Sequence, residues 1–227
     1  MSAPELPLRP ERVLAIGAHP DDVEFFAGGT VARLREQGAR VTCVVCTDGG
    51  RGGRGLDDAA AVRRAEQARA AAILGVAELV SLAHPDGELA PGEPLRTELI
   101  REIRRTRPDL VLAHDPATLW QRFGGRVHMG HSDHRAAGQA ALDAVYPRAM
   151  SPNFAPELGL EPWAPREIWL FDTARPDLFA DVGETLATKL EALAAHVSQN
   201  PGGSLVRAAE AAAKALPGEG FVRLRLR

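Results

Sequence analysis

The chain has 227 residues, 45% of them hydrophobic and 25% charged, with a formal net charge of −3. That is enough for one ordinary soluble domain with a sizeable core, expected to run over 1–227 without a split. The mild charge gives no reason to expect nucleic acid or an anionic membrane as a partner. With no signal-peptide-like start and no membrane-length apolar run, a cytoplasmic location is the default expectation.

The first apolar run, 13–18, reads as a buried strand ending in Ala18-His19-Pro20-Asp21-Asp22-Val23-Glu24-Phe25. His-Pro-Asp-Asp is a poor way to build a core and a good way to build a metal site. His19 offers an imidazole. The two aspartates sit too close for comfort without a cation, and Pro20 stiffens the turn. Imidazole plus carboxylate suits zinc, whose catalytic sites use three protein ligands and keep a fourth position open. One carboxylate of the pair can bind the metal while the other stays free as a base.

A helix over 30–37 with Gly38 at its end follows, then a strand over 41–46 that holds Cys43 and Cys46. Residues three apart in a strand face opposite sides, and no second cysteine pair exists, so packing is preferred over a redox or structural-zinc role. The glycine-rich stretch 49–55, with Arg51 and Arg54, lacks the Gly-Lys-Ser/Thr of a phosphate loop and reads as a mobile active-site loop. A helix over 59–74, capped by Gly75, carries Arg63, Glu66 and Gln67. On residue grounds alone Arg63 is as readily a solvated side chain paired with Glu66 one turn on.

A strand over 79–82 leads to Asp86, a helix covers 96–107, and a strand over 110–113 leads to His114 and Asp115. His84 and His114 match no ligand spacing and read as structural. Two long irregular segments, 116–130 with Trp120, Phe123 and His128, and 147–166 with Phe154 and Trp163, are expected to set substrate choice. Between them His131-Ser132-Asp133-His134 opens an alanine-rich helix over 135–145. Its histidines, three apart, share a helical face, and the intervening Asp133 can hold an imidazole by its second nitrogen. A strand over 168–171, a helix over 184–196 and an alternating tail over 221–227, read as an edge strand, complete the chain.

Alternating short apolar runs and helical patterns argue for a Rossmann-like α/β fold, a mostly parallel sheet with helices on both faces. Ligands of such folds bind beyond the carboxyl ends of the strands, where His19 to Asp22, the stretch 48–55, Asp86, and His114 with Asp115 fall.

His-Pro-Asp-Asp after the first strand, with His-Ser-Asp-His late in the chain, resembles the LmbE/PIG-L family of zinc-dependent N-acetylglucosamine deacetylases. The Ala-His-Pro-Asp-Asp-Val-Glu form followed by Gly28-Gly29-Thr30 is most similar to the branch containing the bacillithiol-pathway enzymes. Further matches are Thr47 to Gly52, Arg63 with Glu66, Asp86 to Leu89, Pro108 to Leu112, and Lys189, His196, Ser198 and Gln199. The resemblance implies that His19, Asp22 and His134 bind Zn(2+), that Asp21 is the catalytic base, and that His131, oriented by Asp133, stabilises the oxyanion. It further implies that Arg63 and Asp86 contact a small GlcNAc-containing substrate, with GlcNAc-malate the leading candidate and mycothiol-type precursors or chito-oligosaccharides the alternatives. A homo-oligomer is expected. Many relatives carry Tyr two residues before the first histidine of the second motif, where this chain has Met129. The competing reading is a nucleotide-binding module without hydrolysis. Against it, His-Pro-Asp-Asp stands where a Gly-x-Gly-x-x-Gly turn would belong.

Overall fold

The computed structural model describes residues 6–53, 55–123 and 126–226. Arg54 and the Phe123 side chain, both part of the expectations above, lie outside that description. A seven-stranded sheet runs in the order β3 (Glu78–His84), β2 (Arg40–Thr47), β1 (Arg12–Gly17), β4 (Leu110–His114), β7 (Glu167–Phe171), β9 (Glu219–Arg225), β8 (Leu178–Ala180). The first five strands are parallel, and β9 is antiparallel to both neighbours.

Side-chain alternation explains why these runs are apolar throughout. Val13 and Ala15 of β1 enter one core with Val41, Cys43 and Val45 of β2, while Leu14 and Ile16 enter the opposite core with Val44 and Cys46. A sheet covered on both faces needs both sets apolar. Cys43 and Cys46 are therefore buried on opposite faces, and burial pushes both thiols up, which suits packing rather than redox work. On the first face lie α1 (Asp22–Glu36), α2 (Ala59–Leu74) and α5 (Leu186–Ala194). On the second lie α3 (Glu93–Thr106) and α4 (Ser132–Asp143).

Helix α1 starts at Asp22, ahead of the expected position, because Gly28 and Gly29 do not break it. They let it pack closely: a Cβ on Gly29 would stand 2.6 Å from Val182. Helix α4 likewise approaches β4 at Gly138, where a Cβ would meet the His114 carbonyl oxygen at 2.3 Å. That close approach sets the His134 turn of α4 beside the end of β4. A sixth helix, α6 (Ser204–Ala215), was not expected. It buries only Ala209, although Leu205, Ala208, Ala209, Ala212 and Ala213 recur at helical spacing along it.

The tail is not the edge strand expected. Strand β9 lies between β7 and β8, and Arg223 is neutralised by a two-pronged contact with Glu167 on β7 (2.8 and 2.5 Å). Within 116–130 the chain forms a hairpin, β5 (Trp120–Phe123) with β6 (Arg126–Met129), where a structureless loop was expected. Beyond the helical turn Ala144–Ala149, segment 147–166 is irregular as expected, with a short turn at Pro156–Leu158. Arg104 of α3 organises it, donating to the carbonyls of Arg148, Ala149, Ser151, Phe154 and Ala155.

Candidate active site

The chain winds outward from β1 through β2 to β3, then returns on the other side of β1 as β4. The carboxyl ends of β1 and β4 thus form the switch point of the sheet, where such folds open a crevice. His19 to Asp22 leave the end of β1, and His114 is the last residue of β4.

Asp22 is the hub of this crevice. Its Oδ2 accepts the His19 backbone N–H at 2.7 Å and lies 3.0 Å from His114 Nε2, while Oδ1 stands 3.2 Å from His134 Nε2. His19 Nδ1 is 3.5 Å from Asp22 Oδ2. Each outer histidine is held from behind by carboxylates. His19 Nε2 lies 3.3 Å from Asp133 Oδ2 and 3.2 Å from Asp86 Oδ1, and His134 Nδ1 lies 2.9 Å from Asp172 Oδ2. A carboxylate on one ring nitrogen fixes the proton there and leaves the other nitrogen's lone pair for a cation. His19 Nδ1 and His134 Nε2 are the nitrogens so left, and both face Asp22.

Three overlapping donor groups lie within metal-binding reach: His19 with His131 and His134, Asp22 with His114 and His134, and His19 with Asp86 and Asp133. Burial opposes ionisation of Asp22, yet His134 and His114 hold its carboxyl well below the usual range. The same crevice pushes Asp21 the other way. Burial, reinforced by the Asp22 charge, raises its carboxyl to about 7 against the pull of Arg63.

Asp21 caps α1 with a left-handed backbone, φ 104°, and its side chain makes no capping bond. Such a conformation is rare outside glycine and needs support. Gln67 supplies it: Oε1 accepts the Asp21 N–H at 3.0 Å, and Nε2 donates to Glu24 at 2.7 Å, which fixes the amide orientation. Arg63 Nη2 donates to the Pro20 carbonyl at 2.7 Å and to Asp21 Oδ2 at 3.3 Å. Arg63 is therefore not the solvated side chain of the alternative reading. It is 4% exposed, it also reaches the Gly49 carbonyl (3.0 Å) and Asp86 (3.6 Å), and Glu66 binds Ser198 instead.

His131 precedes α4, and its Nδ1 accepts the Asp133 backbone N–H at 3.1 Å. That bond assigns the ring proton to Nε2. Burial and the neighbouring His19 and His134 lower its pKa, so the ring is a neutral donor. Asp133 thus orients His131 through its main chain. Its carboxylate, expected on that imidazole, lies on His19 and accepts the Gly87 N–H at 2.7 Å, because residue 133 points inward from the first turn of α4 and is fully buried.

A cleft of about 450 Å³ is lined by His19, Asp21, Asp22, Arg63, Asp86, His131 and His134, with Arg51 and Gly52 of the glycine-rich stretch at its wall. A second chamber of about 530 Å³ shares Phe25, Phe26, His131 and His134 with it. Gln121, His128 and Met129 of the hairpin segment line that chamber. No residue of 147–166 lines either, which overturns the expectation that this segment sets substrate choice. It sits at the amino ends of the strands, where the Trp163 indole donates to the Pro108 carbonyl at 2.8 Å.

Asp172 and Gln67 were missed as site residues, and His114, although at a strand end where ligands bind, was set aside as structural. The strand-end rule that located His19 and Asp86 covers His114 and Asp172 equally, since each closes or follows a parallel strand. His84, the other histidine set aside, pairs with Glu98 at 2.6 Å.

Fold and crevice together define an α/β protein with an imidazole–carboxylate site at the switch point of a parallel sheet. Residues 14–145 match the PIG-L family, described as GlcNAc-PI de-N-acetylase, and the chain belongs to that family. It is similar to the diacetylchitobiose deacetylase of Thermococcus kodakarensis, with 35% identity covering 84% of this chain and 71% of that protein. It is also similar to the 1D-myo-inositol 2-acetamido-2-deoxy-alpha-D-glucopyranoside deacetylase of Actinosynnema mirum, with 29% identity covering 84% and 81%. The solved N,N'-diacetylchitobiose deacetylase from Pyrococcus horikoshii superposes with a TM-score of 0.83 at 30% identity, covering 95% of this chain and 84% of that one. No helix among the described residues is long and apolar enough to cross a membrane.

Proposed function

We propose that the protein hydrolyses the acetamide of an N-acetylglucosaminyl small molecule, using zinc held by His19, Asp22 and His134. The observation that carries this reading is the divergence of two consecutive carboxylates. Asp22 turns to the imidazoles and stays ionised, while Asp21 turns to the cleft with its carboxyl raised to about 7. Pairs of acids pushed apart in this way separate a charge-holding role from a proton-transfer role.

Two imidazoles and one carboxylate suit zinc, and two of those ligands are already oriented by carboxylates behind them. When bound, zinc polarises the amide carbonyl and acidifies water. Asp21, with 18% of its side chain exposed to the cleft, accepts the proton of the attacking water and later delivers it to the amine nitrogen. His131 Nε2–H donates to the carbonyl oxygen as that atom gains charge. Arg63 keeps Asp21 in place and, with Asp86, lines the region where sugar hydroxyls would bind. The products are acetate and a free glucosamine amine.

The names of the relatives support a GlcNAc-type amide as substrate, and they favour the chito-oligosaccharide and mycothiol-type alternatives over GlcNAc-malate. Exposed Leu119, Trp120 and Val127 on the hairpin segment support self-association as part of the same reading. Acetate release from diacetylchitobiose, GlcNAc-inositol and GlcNAc-malate, with and without chelator, tests it. Release from at least one, lost on chelation and restored by zinc, is expected. Absence of release from all three with stoichiometric zinc bound would refute it.

A further inference from the structure

The chemistry above leaves the second chamber unused. Its walls are Phe25 and Phe26 of α1, Phe179 of β8, Leu186 of α5, Leu216 beyond α6, and the alanine face of α6. Ala208, Ala209, Ala212 and Ala213 fall on that one helical face. Larger apolar residues there would close the space, as they do elsewhere in the core. About 530 Å³ beside a reactive cleft has the size of a ligand site.

Apart from the His131 Nε2–H, polar side chains on these walls already have partners. Lys189 Nζ is 2.6 Å from Glu219 Oε1, and Glu219 Oε2 takes the N–H and hydroxyl of Thr30 at 2.7 and 2.6 Å. Gln121 donates to Asp172 at 3.0 Å, and Asp181 accepts the Gly183 N–H at 2.9 Å. A sugar ring placed there would find its hydroxyls poorly matched, since buried polar groups need partners. The charged side chains Asp21, Arg63 and Asp86 line the cleft, on the far side of the shared wall of His131, His134, Phe25 and Phe26.

We propose that the substrate carries an apolar substituent, an alkyl chain or aryl group joined to the amide-bearing sugar, and that this substituent occupies the second chamber while the sugar occupies the cleft. The inference rests on the proposed function for the sugar's place and goes beyond it in naming what the sugar carries. The substituent can be joined at the anomeric oxygen, which keeps the acetamide, or at the acyl carbon, in which case the acid released is longer than acetate; two substrate series separate these attachments.

The test uses zinc-loaded protein with N-acyl glucosamines from acetyl to octanoyl, and with N-acetylglucosaminides from methyl to octyl. Each buried methylene lowers KM by roughly three- to fourfold at full burial, so a fall on the order of tenfold or more along one series is expected. The series that shows it identifies the attachment. Ala212→Trp and, independently, Ala213→Phe fill the chamber and should bring the long-to-short ratio of kcat/KM close to one. Flat KM along both series, or a chain-length gain that survives both filling variants, overturns the proposal. If no compound is hydrolysed, the deacetylase reading fails by itself. Calorimetric binding of the octyl against the methyl glycoside then decides the chamber: tighter octyl binding that Ala212→Trp abolishes supports it, and equal binding refutes it.

Discussion

His134 and Asp172 lie 38 residues apart in the chain and 2.9 Å apart in space, imidazole Nδ1 to carboxylate Oδ2. The contact leaves Nε2 facing Asp22, as a ligand to a shared cation requires. His134→Ala should lose both metal and activity, because it removes one of the three proposed ligands. Asp172→Asn should keep the fold and weaken zinc affinity by roughly 10- to 100-fold, the usual consequence of losing a carboxylate behind a ligating histidine. Competition with a fluorescent chelator measures both. Unchanged zinc affinity in Asp172→Asn would show that the contact does not support a ligand.

Arg104 should matter to stability and not to catalysis. Its guanidinium gathers five carbonyls of segment 147–166 with no carboxylate among them, at the end of the sheet away from the cleft. Arg104→Met leaves those acceptors short of donors and should cost about 3 kcal/mol. Urea unfolding measures the loss, with kcat and KM of the folded variant expected to stay at the parent values. A variant of parental stability, or one with altered KM, would contradict this division of roles.

Glu167 should contribute to acid sensitivity. Burial alone would raise its pKa, but the Arg223 guanidinium and the Trp169 indole outweigh that and hold it below its ordinary 4.5. A carboxyl lowered in the folded state adds stability that is fully present above the unfolded pKa and is lost as pH falls through the folded value. Melting temperatures of the parent should therefore drop below about pH 4.5 more steeply than those of Glu167→Gln. Parallel curves for the two proteins would show that the β7–β9 contact carries no such dependence.

The parallel sheet was legible because strands covered on both faces are apolar at every position, and such runs stand out from the intervening helices. His19, Asp21 and Asp22 were legible because three polar, chemistry-bearing residues directly after a buried strand serve a core badly and a metal well. Asp172 was not singled out, and His114, although it falls at the ligand-binding end of its strand, was set aside as structural, because each is a lone residue at a strand end and only the pairing of β4 with β1 and β7 brings them to the Asp22–His134 pair. The place of 147–166 was misjudged because length and aromatic content do not say at which end of a sheet a loop lies. Helix α6 was not singled out although its apolar residues, mostly alanines, recur at helical spacing, and the same alanines leave the second chamber open.

Above all, the proposed chemistry requires that Asp22 hold the metal while Asp21 moves the proton. Zinc content and single-turnover rate, measured together on Asp21→Asn, probe that division without disturbing its surroundings. The change leaves the imidazoles and Asp22 intact and keeps a side chain of nearly the same size beside Arg63. About one zinc per chain should remain bound, with the rate lowered on the order of 10²- to 10⁴-fold, the usual loss when a general base is removed. A variant that keeps zinc and turns over near the parent rate, or one that loses zinc together with activity, would contradict it.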